Sequence, residues 1–135
     1  MADCIFCKII AKEIPAHIVW ENDQFLAFLD MIPVNPGHLL IIPKEHIDNI
    51  FDIPKGLYEE LFTTAKTLST PLQNAMRPKR IGMIVEGFGM PHAHLHLVPI
   101  NHGHDMDSIN AKPMPNDELG AVAEKIKKEV EKIIK

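Results

Sequence analysis

Long apolar runs are missing from this chain of 135 residues. No stretch approaches the roughly 18 consecutive apolar residues of a membrane span, so a transmembrane helix and a membrane partner are not expected. Basic blocks are missing too. Net charge is −4 with the histidines neutral, and no stripe of Lys and Arg is there to neutralise a phosphate backbone. That excludes duplex nucleic acid as a partner, although a small phosphorylated ligand needs only a local site. The start, MADCIFCKII, lacks a basic region followed by a long apolar one, so it does not read as a signal peptide and the chain is predicted to be cytoplasmic. Cysteine is scarce: Cys4 and Cys7 are the two present, and a disulfide between them is not expected in that compartment. Repeats, low-complexity tracts and Gly/Ser linkers are also absent, and the length suits one domain covering residues 1–135. What remains is 46% apolar and 24% charged, ordinary for a globular protein with a core, plus one oddity. Of eight histidines, three fall within five residues.

Along the chain, residues 4–12 read as a short helix with Ile5, Phe6 and Ile9 on one side, ended by Pro15. Residues 17–22 and 24–30 are β-rich runs about a polar turn, 31–37 is a Pro/Gly loop, and 38–43 is a third strand. Asp52 is a candidate cap for a helix with Pro54 in its first turn. Leu57, Leu61, Ala65, Leu68, Leu72 and Met76 keep helical spacing, and Pro71 should kink or end that helix. Strands are predicted at 80–87 and 92–99, an irregular segment at 101–115, and an amphipathic helix from a capping Asn116 to about residue 134. Its apolar stripe is Leu119, Val122, Ile126, Val130 and Ile133. Five strands and two substantial helices, with strands on either side of one helix, predict an α+β fold with a mainly antiparallel sheet.

In HAHLHLVP, His92, His94 and His96 alternate with Ala93, Leu95 and Leu97. On a strand this puts the imidazoles on one face and the aliphatic residues on the other. Clustered imidazoles serve two chemistries: a catalytic metal site, or nucleophilic attack at phosphorus with neighbouring N–H groups on the phosphoryl oxygens. Spacing alone does not separate them. Cys4-x-x-Cys7 is similarly open between two unrelated thiols, a redox pair lacking its usual preceding strand, and half of a tetrahedral zinc site.

HAHLHLVP resembles the histidine-triad (HIT) signature, in which histidines alternate with apolar residues. Residues 4–46, CIFCKIIAKEIPAHIVWENDQFLAFLDMIPVNPGHLLIIPKEH, resemble the N-terminal half of its Hint-like bacterial branch, so the likeness covers residues 4–100. It implies a nucleotide hydrolase or transferase whose nucleophile is His94. That residue would attack the α-phosphorus of a nucleoside phosphoramidate or related ester and form a covalent nucleotidyl-histidine. An Nδ1–H held by a carbonyl would leave Nε2 of His94 as the free lone pair on a neutral ring. By the same likeness His96 donates to a phosphate oxygen, His38 supports it, and Asp30 binds the ribose hydroxyls of a purine nucleotide. Phe6, Ile9, Phe28, Leu29 and Met31 match the slot around the base. The backbone N–H groups of Gly89 and Met90 are candidates for phosphate. One departure stands out: the family's glycine-glutamine-serine run is replaced by Gly87-Phe88-Gly89-Met90-Pro91, which leaves the leaving-group acid unassigned.

The likeness also implies structural zinc held by Cys4, Cys7, His46 and His92, no organic cofactor, and a homodimer joined edge to edge. His17 is left without a role, and His102 and His104 are expected to be exposed loop residues. The alternatives are a dinucleoside polyphosphate hydrolase, a nucleotide-binding regulatory module with little turnover, and a catalytic zinc held by the triad itself.

Overall fold

The computed structural model describes residues 4–133. Its elements are α1 (Ile5–Ile10), β1 (Ile18–Glu21), β2 (Phe25–Leu29), β3 (Leu39–Pro43), α2 (Lys55–Met76), β4 (Arg80–Ile84), β5 (Leu95–Ile100) and α3 (Asn116–Ile133). The strands form one sheet in the order β1-β2-β3-β5-β4. Every neighbouring pair is antiparallel, so the expected α+β class holds. Residue 134, included in the predicted last helix, lies outside the described residues. Among the described residues no helix is long and apolar enough to cross a membrane.

β2 and β3 are buried along their whole length, because both faces of the sheet are covered there. The pleat divides their side chains between two cores. Phe25, Ala27, Leu29, Leu39 and Ile41 join α2 and α3 in the larger one. Leu26, Phe28, Leu40 and Ile42 join Phe6 and Ile9 of α1 in the smaller. α1 ends earlier than its apolar pattern suggested. Its cap is Ala11 and Lys12 turns left-handed (φ 65°), so the chain leaves the helix before Pro15.

Two other expectations are corrected. Asp52 does not cap α2. It ends a 3-10 turn at Ile50–Asp52, and the helix starts after Pro54 because the residue before a proline, Ile53, is held extended (ψ 130°). Pro71 does not stop α2, which continues to Met76 with Pro71 and Leu72 buried in the core. That burial offsets the lost helical N–H. Arg77 then closes the helix in a left-handed conformation, its N–H bonded to the Gln73 carbonyl. Asn116 is the first residue of α3, and its Oδ1 accepts from Nε2 of His17 at 2.8 Å, tying that helix to the entry of β1. Ile133, assigned to the apolar stripe, is 47% exposed.

Candidate active site and metal centre

The ladder of β5 starts at Leu95, so His92 and His94 precede it, contrary to the predicted strand 92–99. The alternation nevertheless holds through the extended approach. Ala93, Leu95 and Leu97 enter the larger core, and the imidazoles take the opposite side. The triad then divides. His92 faces the N-terminal helix, while His94 and His96 line a cleft of about 520 Å³.

That cleft gathers residues far apart in sequence. Asp30 follows β2 and His38 precedes β3, and the two are joined by a backbone bond, Asp30 N–H to the His38 carbonyl at 2.9 Å. Gly37, itself at φ +91°, leads into His38, and a Cβ on it would stand 2.7 Å from the Met76 Cγ. Phe6, Ile9, Phe28, Leu29 and Met31 form the apolar wall, and Gly89 and Met90 border it. Phe6 packs edge-on against His94 with ring centroids 5.3 Å apart, which fixes one side of that imidazole.

Hydrogen bonds assign the proton on each ring. Nδ1–H of His94 donates to the His92 carbonyl at 2.7 Å, so Nε2 carries the lone pair. Nδ1 of His38 accepts from the Val34 N–H at 3.1 Å. Nε2–H of His38 therefore donates to Nδ1 of His96 at 2.8 Å, which leaves His96 with its own N–H at Nε2. Burial, then the charges of His38 and His94, push His96 down to about 3, so this donor is a neutral imidazole. Burial lowers His38 as well, against the opposing pull of Asp30. The Asp30 carboxylate accepts from the Ile32 N–H at 2.9 Å and lies 3.7 Å from Nε2 of His38.

A second cluster sits beside the first. Ligand atoms of Cys4, Cys7, His46 and His92 all lie within 4.8 Å of one another. Nε2–H of His92 donates to the Pro43 carbonyl at 2.8 Å, which turns its Nδ1 lone pair to the sulfurs. Those contacts are 3.4 Å to Cys4 and 3.6 Å to Cys7, and Nδ1 of His46 is 3.2 Å from Cys7. Sulfur and nitrogen on one tetrahedral zinc stand roughly 3.6 Å apart, given bonds of about 2.3 and 2.1 Å. The donor set fits such an ion. Burial, and then Cys4, push the Cys7 thiol up when no cation is present. Ligand atoms of Asp30, His38 and His96 also lie within 4.8 Å of one another; His94 belongs to neither group, and the three triad histidines together form none among the described residues.

The HIT domain family matches residues 11–103 of the chain, triad included. The protein belongs to the HIT family. An adenosine 5′-monophosphoramidase of Saccharomyces cerevisiae is 38% identical over 103 residues, 73% of this chain and 63% of that protein. A HIT-like protein of Methanocaldococcus jannaschii is 34% identical over 134 residues, covering 92% of this chain and 98% of its own. Among solved structures, a hypothetical histidine triad nucleotide-binding protein from Sulfolobus tokodaii superposes with a TM-score of 0.87. It is 27% identical, with 96% of this chain and 93% of that one covered.

The HIT site also contains residues that sequence reasoning missed. Glu86, Phe88, Met106 and Ser108 line the cleft. Phe88 had a signal, since it replaces a polar residue in a loop already singled out. Met106 and Ser108 had none, because the irregular segment is placed by two bonds no pattern encodes: Lys112 N–H to the Pro33 carbonyl and Met114 N–H to the Met31 carbonyl.

Proposed function

We propose that this HIT protein hydrolyses nucleoside phosphoramidates or related nucleotide esters through a covalent intermediate on His94. The observation that carries the reading is the buried His94 ring, 5% exposed, whose Nδ1–H is committed to a carbonyl while Nε2 has no partner among the described residues. The base of a purine nucleotide lies in the Phe6, Ile9, Phe28, Leu29 and Met31 slot, and Asp30 accepts from the ribose hydroxyls. Nε2 of His94 gives its lone pair to the α-phosphorus. A phosphorus–nitrogen bond to the ring forms and the bond to the leaving group breaks, the departing atom keeping the electron pair and taking a proton from solvent. Nε2–H of His96, held by His38, and the backbone N–H groups of Gly89 and Met90 donate to the phosphoryl oxygens. Water then adds to phosphorus and gives a proton to solvent, the bond to His94 breaks with its electron pair returning to Nε2, and the ring regains its neutral Nδ1–H form as the nucleoside monophosphate leaves.

Cys4, Cys7, His46 and His92 would hold a structural zinc, which supplies a closed four-coordinate tie between α1 and the approach to β5 and no open position for water. The outer edge of β4 pairs with no strand among the described residues, and Met83 and Ile84 there are exposed. That edge supports a homodimer. Incubation with adenosine 5′-phosphoramidate tests the enzymatic reading. AMP release by the wild type and not by His94→Ala is expected. Binding of AMP by both without release from either overturns the reading in favour of a binding module.

A further inference from the structure

Cys4 and Cys7 bracket the first turn of α1, and they differ in access. Cys4 is 2% exposed and part of the smaller core, whereas Cys7 is only half-buried. Their sulfurs lie within 4.8 Å of each other, and the Cys7 N–H donates to the Cys4 sulfur at 3.4 Å. Residues three apart in a helix have Cα atoms about 5 Å apart, inside the range of roughly 4.4–6.8 Å that a disulfide spans. The same helix carries Phe6 and Ile9 into the wall of the cleft. Phe6 stands between the two clusters, its ring centroid 5.9 Å from His92 and 5.3 Å from His94. One short segment therefore supplies both sulfurs of the metal cluster and part of the nucleotide wall.

We propose that Cys4 and Cys7 are an oxidation site for hydrogen peroxide, and that the disulfide they form releases the zinc and weakens nucleotide binding through Phe6 and Ile9. The inference rests on the zinc and nucleotide readings above and couples them. With a cation bound, both sulfurs are thiolates, the reactive form. Cys7, the more exposed residue, attacks a peroxide oxygen. The O–O bond breaks, and the departing oxygen takes a proton and leaves as water. The Cys4 thiolate then attacks the sulfur of the Cys7 sulfenic acid, whose hydroxyl takes a proton and leaves as a second water. Each sulfur has given up one electron, and the peroxide has taken both. His46 and His92 alone cannot complete a four-coordinate site, so the ion departs. α1 then loses its tie to the approach of β5, and a helix of six residues has little stability of its own. Phe6 is no longer held against Phe28 and His94, and the cleft loses one wall. The coupling is reciprocal: a nucleotide packed on α1 raises zinc affinity by the factor by which zinc raises nucleotide affinity.

The test treats zinc-loaded protein with graded hydrogen peroxide and follows three quantities. These are zinc captured by a chromogenic chelator, the mass of the peptide holding Cys4 and Cys7, and the Kd of AMP by calorimetry. About one zinc should appear per disulfide, with the Kd of AMP raised about tenfold and restored by dithiothreitol plus zinc. Saturating AMP should slow zinc release several-fold. Loss of AMP binding that dithiothreitol and zinc do not restore marks methionine oxidation, at Met31 or Met90 of the cleft, and overturns the switch. Zinc release with the disulfide at an unchanged Kd overturns the coupling, and zinc retained on reduced cysteines overturns the oxidation site. Purified protein that holds no zinc overturns the metal reading together with the switch. Failure of the untreated, zinc-loaded protein to bind AMP overturns the nucleotide reading instead.

Discussion

The neutral His38–His96 pair makes stability depend on acid. An unfolded imidazole titrates near 6.5, while burial holds folded His96 down at about 3 and also lowers His38. Between those values the unfolded chain binds protons that the folded chain refuses, so stability is full above about 6.5 and is lost progressively as the pH falls toward 3. Urea midpoints from pH 7.5 to 4 measure this, and His96→Asn should flatten the slope. A midpoint constant over that interval would contradict the tautomer chain from Val34 through His38 to His96. Gly37 makes a second residue-scale prediction. Its φ of +91° and its approach to Met76 leave a Cβ only 2.7 Å from the Met76 Cγ. Gly37→Ala should cost about 2 kcal/mol, mostly backbone strain. Adding Met76→Ala should therefore not restore the denaturation midpoint. That the residues expected around the nucleotide, from Phe6 and Asp30 to His94 and His96, lie along one cleft was legible in the sequence, while their roles belong to the proposal. Proton positions were partly legible: the His94 bond to a carbonyl was expected, but its acceptor, the carbonyl of His92, was not.

α1 spans six residues, too short to be a stable helix alone. It is held by Phe6 and Ile9 in the smaller core and by its proximity to His46 and His92. If Cys4, Cys7, His46 and His92 hold zinc, metal analysis of purified protein should find about one equivalent, lost in Cys4→Ser. Chelation should lower Tm by roughly 10 °C and increase hydrogen exchange first in α1. Unchanged melting after complete metal removal would show that packing alone anchors the helix. The same element scale explains the boundary errors. A proline inside α2 carries a local cost visible in the sequence, but the burial of Pro71 and Leu72 that offsets it depends on distant partners. The early start predicted for the last strand failed for a similar reason: the side-chain alternation begins at His92, whereas ladder pairing waits for β3 to come alongside Leu95 and β4 alongside His96.

At the level of the whole molecule, β1 lies at one end of the sheet and β4 at the other, with Met83 and Ile84 exposed on β4. An uncovered strand edge with exposed apolar side chains invites pairing. Light scattering after size exclusion should give twice the chain mass of 15.2 kDa, and Met83→Glu should shift the protein toward monomer. A monomer at micromolar concentration in the wild type would count against edge pairing.

Local pattern determined much here. Period-two alternation placed the imidazoles against an aliphatic face, helical spacing placed α2 and α3, and two separated motifs identified the family and its candidate ligands. These signals are short-range, carried by neighbours along the chain. Tertiary structure alone decided how the triad is shared. His92 turns to the cysteines because Pro43, 49 positions away, accepts its Nε2–H. It also decided that Glu86 lines the cleft and that the irregular segment brings Ser108 to it. Those arrangements depend on long-range hydrogen bonds and on the shape of packed faces, and neither leaves a periodic mark in the order of the residues.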